Sequence, residues 1–171
     1  MKRVFFFTGL ILASTSFVKT CYAAALNKQT VCLAKVIYYE DRGGTLKGKI
    51  MHAQVVLNRV ALSSAEYGKT ICDVVFKRNK VRRGNVFRMV PEFSWIGQQS
   101  NKIAEPKSWQ ESLNIAGTLL DPENNIEDYT KGSIYFQDIG IKQKPEKSAI
   151  MVALIDHTKF FTMPEQVAEI P

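Results

Sequence analysis

Residues 32–60 read CLAKVIYYEDRGGTLKGKIMHAQVVLNRV, and the reading of this stretch decides the fold. It predicts a helix, a sharp turn and a second helix. Cys32 to Tyr39 contains no Gly or Pro, and its apolar residues recur at helical spacing. Leu33, Ile37 and Glu40 fall at i, i+4 and i+7, so Glu40 shares a face with two apolar side chains. Arg42-Gly43-Gly44 is expected to stop the helix, with glycine supplying the φ > 0 positions of a C-cap. A carboxylate in the last turn meets the negative end of the macrodipole, and burial acts in the same direction. Both raise its pKa, and a carboxylic acid kept protonated near neutrality can serve as a general acid. An exposed Glu that merely precedes a turn has the same local sequence, so the two readings stand side by side. From Gly48 to Val60, the residues Ile50, Ala53, Leu57 and Val60 form one stripe of the second helix.

The order of residue types in this stretch resembles the SleB-like family of cell-wall hydrolases, which includes spore-cortex-lytic enzymes. The resemblance rests on Cys32-Leu33-Ala34, the aromatic pair Tyr38-Tyr39, Glu40, Arg42-Gly43 and the run Ala53 to Val60. Later blocks follow in order: Cys72 before Val74-Val75, Phe93-Ser94-Trp95, Asp128-x-Thr130-x-Gly132 with Tyr135, and His157 before Phe160-Phe161. It covers residues 32–161. It implies an α+β, lysozyme-like domain, mainly helical, with a short antiparallel sheet forming one lobe and Glu40 at the floor of the cleft. It implies cleavage of the β-1,4 bond between N-acetylmuramic acid and N-acetylglucosamine in peptidoglycan glycan strands, as a lytic transglycosylase without a cofactor. Glu40 is the implied catalytic acid and base. Tyr39, Ser94, Trp95, Asp128, Thr130 and Tyr135 are the implied substrate-binding residues. Asp41, Glu92 and Asp128 are candidates for a second carboxylate role. The chain departs from the family's usual pattern at Asp41 and Gly44, where a small residue and a Glu are common. It departs also at Glu92, where Gln is frequent, and at Phe136, where His is common.

Working outward, the chain of 171 residues is read as one domain with ordinary globular composition, 46% hydrophobic and 23% charged. Residues 1–25 stand apart as a secretory signal. Lys2 and Arg3 form its positive start, Val4 to Phe17 its apolar run, and Cys21-Tyr22-Ala23 or Ala23-Ala24-Ala25 its small-x-small cleavage site. A retained membrane anchor is the minor alternative, because the run is short for a bilayer. Lys19 and Thr20 make a poor context for lipid attachment at Cys21. The expected catalytic domain is 26–163, with 164–171 a poorly ordered tail. The product is expected to be exported to the periplasm or outside the cell, monomeric, and without a stable membrane anchor. Cleavage after Ala23 removes Lys2, Arg3 and Lys19 and lowers the formal charge from +7 to +4. A mildly basic domain suits an anionic polymer such as peptidoglycan, and simple solubility accounts for the charge equally well. Cys32 and Cys72 remain; in an exported protein two cysteines suggest one disulfide, with two buried thiols as the alternative.

Thr70 is expected to cap a short helix from Ile71 to Phe76, and Pro106 and Ser108 to open a third helix from Trp109 to Leu120. Trp109 falls on the core stripe of that helix with Leu113, Ala116 and Leu120. Trp95 is either a platform for a sugar's apolar face, with its N–H free to donate, or a core residue. Lys77 to Arg88 carries six cations and reads as a solvated loop. A nucleic-acid patch is disfavoured, because aromatic residues are sparse there and the chain is exported. Ser133–Phe136 and Ile150–Ile155 read as strands joined through a charged hairpin at 142–147, with Phe160-Phe161 extending the second. A zinc hydrolase is disfavoured, because only His52 and His157 exist and no His-Glu-x-x-His motif is present. A Cys–His peptidoglycan peptidase, using Cys32 or Cys72 with His157, fails if the two cysteines are bonded to each other. A non-catalytic exported carbohydrate-binding or inhibitor domain is the remaining alternative.

Overall fold

The computed structural model describes residues 14–64, 66–98 and 102–167, with side chains from Lys28 onward. Most of the signal expected at 1–25 therefore lies outside the described residues. Helix α1 (Ser14–Asp41) is the central element and packs against α2 (Leu46–Ala61), α3 (Ile71–Val75) and α4 (Pro106–Leu120). The packing follows from the sequence stripe. Leu33, Ala34, Val36 and Ile37 are wholly buried, and Ala53 and Val56 of α2 and Val74 and Val75 of α3 meet them in one core. The expected turn after α1 is present, but its glycines act by space rather than by handedness. Neither Gly43 nor Gly44 has a positive φ. A Cβ on Gly44 would lie 2.0 Å from Asp41 Oδ1, so the missing side chain makes room for that carboxylate. The Gly44 N–H donates to the Asp41 carbonyl at 3.0 Å and closes the helix end.

Both short-range caps follow local chemistry. Thr45 Oγ1 accepts from Gly48 N at the start of α2. Thr70 and Asp73 form a reciprocal capping box on α3. Helix α4 starts with Pro at its first turn, where a missing N–H costs nothing. Cys32 and Cys72 are joined by a disulfide that ties α1 to α3.

The stretch expected as a solvated basic loop is a hairpin instead. Strands β1 (Arg78–Arg83) and β2 (Val86–Pro91) pair antiparallel from Arg78↔Pro91 to Arg83↔Val86. Gly84, with φ +60, takes the first position of the two-residue turn, where hairpin turns of the primed types need a positive φ. The second sheet has the order β3-β5-β4, from β3 (Tyr135–Asp138), β4 (Ile150–Ile155) and β5 (Thr158–Thr162). The expectation that β3 and β4 pair through residues 142–147 is thus corrected. Asp156, at φ +51, and His157 form a tight turn that sends Phe160-Phe161 back as a separate strand between them. The central place suits β5, since Phe160, Phe161 and Thr162 are buried while β4 is largely exposed. Of the expected tail, Pro164–Val167 forms a helical turn, α5, and 168–171 lie outside the described residues. The architecture is mixed α+β with helices predominating and two small antiparallel sheets rather than one. It is compatible with the lysozyme-like arrangement.

Candidate active site

Glu40 sits in the last turn of α1, half-buried, with Leu33 and Ile37 of its face in the core. Three cavities, of about 710, 480 and 380 Å³, open beside it, and among the described residues only Glu40 lines all three. The first runs along Asp41 to Thr45 toward the Asp156-His157 turn. The second lies between His52, Phe93, Ser94 and the end of β3. The third lies along Tyr38, Tyr39 and Trp95. The cleft therefore passes across the carboxyl group and continues on both sides of it.

Burial pushes the Glu40 carboxyl above its ordinary pKa of 4.5, and the neighbouring Asp41 carboxylate adds to this. The charge of His52 and a hydrogen bond from Trp95 pull the other way, and burial is the larger effect. That hydrogen bond is specific: Trp95 Nε1–H donates to Glu40 Oε1 at 2.7 Å. Oε1 is thereby held as an acceptor. His52 is 3% exposed, its Nδ1–H donates to the Gly48 carbonyl at 2.9 Å, and its ring meets Phe136 and Phe160 edge-on. Asp41 Oδ2 is 3.6 Å from His52 Nδ1 and is buried without a hydrogen-bond partner.

The remaining sequence candidates fall into two groups. Tyr39 and Ser94 line the cleft beside Glu40. Trp95 also borders it, but its ring is buried, stacked on Tyr39 at 4.7 Å and tilted on Phe93. Its N–H is not free for a sugar, because Glu40 takes it. Asp128, Thr130 and Tyr135 are placed elsewhere. Asp128 accepts from Thr130 N, Thr130 Oγ1, Gly132 N and Asn58 Nδ2, so both of its oxygens serve its own loop. Thr130 is wholly buried and offers a sugar no surface. The Tyr135 hydroxyl meets that of Tyr67 at 3.0 Å and faces a separate cavity near Leu62 and Met163. Tyr67's hydroxyl is pushed far up by burial and by this partner.

Sequence reasoning passed over two features. His52 lies with Val55, Val56 and Arg59 on a second stripe of α2, a helical spacing visible in the sequence. Arg59 braces the wall of the second cavity, and Asn58 holds the loop at 128–133. Arg59 Nε donates to the Ile134 carbonyl at 2.7 Å, and its Nη1 pairs with Glu92 Oε1 at 2.8 Å. Asn58 Nδ2 contacts Asp128, Thr130 and the Ser133 carbonyl. Glu92 Oε2 accepts from Asn79 at 2.7 Å, so this carboxylate is pinned at both oxygens. Among the described residues no three or more His, Cys, Asp or Glu side chains group so as to hold a metal ion. With Cys32 and Cys72 bonded to each other, the Cys–His peptidase reading is excluded, because neither sulfur is available as a thiolate.

A half-buried carboxyl beside three adjoining cavities, held by an aromatic N–H, is an arrangement able to donate a proton to a bound polymer. The family comparison agrees: the cell wall hydrolase model matches residues 43–161. The chain belongs to the cell-wall hydrolase family, whose members degrade peptidoglycan, and is a peptidoglycan-degrading enzyme. The matched segment begins three residues after Glu40, and it includes His52, Arg59, Ser94 and Trp95. No curated protein and no solved structure matches the chain significantly.

Proposed function

We propose that this enzyme is a lytic transglycosylase that cuts the β-1,4 bond between N-acetylmuramic acid and N-acetylglucosamine. One observation supports it above the others: among the described residues Glu40 alone is common to the three cavities, with a raised pKa and one oxygen held by Trp95. Glu40 Oε2 gives its proton to the leaving oxygen as the bond to C1 breaks. An oxocarbenium-like centre develops at C1. The carboxylate then takes the proton of the muramic sugar's own C6 hydroxyl, whose oxygen attacks C1. The product carries a 1,6-anhydro ring, and Glu40 is protonated again. One carboxyl group suffices, whereas ordinary glycoside hydrolysis needs two. Tyr39 and Ser94 are the proposed sugar contacts, and Trp95 orients the acid.

Asp41, which follows Glu40 and lines the first cavity, favours a second reading, hydrolysis with Asp41 as the other carboxylate. Export is also proposed, supported by the charged and apolar pattern of residues 1–25 and by the disulfide. The catalytic unit is taken as 26–163, acting as a monomer on glycan strands.

Digestion of purified sacculi, with products identified by mass, tests these readings. Glu40→Gln is expected to lower cleavage by roughly 10²–10⁴-fold or more. The amide keeps an oxygen for Trp95, so folding stability at neutral pH should hold or rise. Anhydro products lost in Glu40→Gln support the transglycosylase. Reducing ends lost in both Glu40→Gln and Asp41→Asn support the hydrolase. Cleavage that survives Glu40→Gln overturns both, and binding without any cleavage by the unmodified chain leaves the non-catalytic carbohydrate-binding domain.

A further inference from the structure

The β1–β2 hairpin projects from the domain with little support from it. Both strands are exposed along nearly their whole length, and they pack on each other far more than on any other element. The antiparallel register sorts their side chains. On one face Arg78, Lys80 and Arg82 of β1 lie opposite Pro91, Met89 and Phe87 of β2. On the other, Val81 and Arg83 lie opposite Arg88 and Val86. Each face thus sets cations directly beside large apolar side chains. Val86, Phe87 and Met89 are 58%, 56% and 55% exposed, so the hairpin tip is apolar surface in water. Arg78, Lys80, Arg82, Arg83 and Arg88 form no ion pair among the described residues. Lys80 instead covers the Phe87 ring at 4.4 Å. At its base the hairpin is anchored, through Asn79 to Glu92 and from Glu92 to Arg59, to the wall of the cleft.

We propose that this hairpin docks the enzyme on an anionic lipid bilayer surface. The charge is complementary to that surface, and juxtamembrane cations are attracted within about a Debye length of it. The apolar residues decide between this partner and a solvated polyanion. A wall polymer can pair with the cations and stack a sugar face on Phe87, but it offers no apolar depth for Val86 and Met89, whereas the boundary between headgroups and acyl chains receives cations and all three apolar side chains at one depth. A two-stranded hairpin without a core behind it would otherwise leave this apolar surface to water. Docking here would hold the cleft beside the membrane, where the hairpin base meets it.

The test uses the full chain carrying Phe87→Trp and vesicles of phosphatidylglycerol or phosphatidylcholine with brominated acyl chains. Trp95 and Trp109 of the unsubstituted chain give the background. Quenching of the added indole in anionic vesicles, absent in zwitterionic ones, is the expected result. Adding Arg82→Gln, Arg83→Gln and Arg88→Gln should weaken it at least tenfold, since each cation contributes roughly fivefold. Phe87→Ser with Met89→Ser should weaken vesicle binding while leaving sacculus digestion in solution unchanged. No excess quenching in anionic vesicles overturns the proposal, as does equal quenching in both lipids. Sacculus binding that needs the arginines but not Phe87 and Met89 assigns the hairpin to a wall polyanion instead. Concentration-dependent sedimentation abolished by the serine pair assigns it to a second copy.

Discussion

The contact between Trp95 and Glu40 makes a prediction with a definite sign. Trp95→Phe keeps an aromatic ring for the stack on Tyr39 and removes only the Nε1–H donated at 2.7 Å to Glu40 Oε1. Glu40's pKa is raised in the folded chain, chiefly by burial. Its ionisation therefore costs stability as pH rises from the ordinary 4.5 through the raised value, and the Trp95 bond offsets part of that cost. A hydrogen bond to a charged acceptor contributes roughly 1.5–3 kcal/mol, and one to a neutral acceptor about 1 kcal/mol. Trp95→Phe should then cost roughly 0.5–2 kcal/mol more at a pH above the acid's raised pKa, where Glu40 is ionised, than at pH 3, below its ordinary 4.5, where it is protonated. The smaller ring's packing loss is common to both pH values and cancels in the comparison. The same difference requires the acid's pKa to move further up. Because the acid must be protonated to act, the alkaline limb of the pH–rate profile should move to higher pH while the maximal rate falls. Urea unfolding at the two pH values and sacculus turnover across pH are the assays. An equal cost at both pH values, or a limb that moves down, would refute the assignment of this bond to the ionised acid.

Reduction of Cys32–Cys72, which closes a loop of sequence separation 40, should lower stability by roughly 4 kcal/mol in the chain-entropy model, read as a shift of the urea midpoint. A loss under about 1 kcal/mol would show that α1 and α3 stay paired in the unfolded chain. Asp128→Asn should cost about 2–3 kcal/mol, because an amide N–H₂ would face the donors of its own loop. The same variant should leave turnover within about threefold of the parent; a raised KM with unchanged stability would return Asp128 to the substrate site.

Much of the helical half is legible without coordinates. The stripe Leu33–Ile37–Glu40, the apolar run of α2, and the cap Thr70 each depend on residues within one or two turns. Local spacing fixes such features because a helix closes its own hydrogen bonds. The position of Glu40 at a helix end is likewise a local fact, as is the suitability of that place for an acid with a raised pKa. The hairpin at 78–91 escaped because β1 is mostly cationic and shows no alternation of apolar and polar residues. Its signal was the Gly84-Asn85 turn alone.

What the tertiary structure alone decided lies between distant segments. Sequence order placed β4 next to β3, but the tight Asp156-His157 turn put β5 between them. Asp128, Thr130 and Tyr135 stand in a block shared with a known family, yet side-chain partners 68 to 72 residues away direct them to Asn58 and Tyr67. Trp95 was legible as an aromatic in a loop, but whether its N–H met a sugar or a carboxylate depended on a contact across 55 residues. His52 joined the site when α2 folded back against the end of α1 and brought its ring to Asp41. The sequence determined which residue could be the acid. The packing of α1, α2 and the Phe93–Gln98 turn decided which groups set its proton, because burial and long-range hydrogen bonds exist only once the chain is folded.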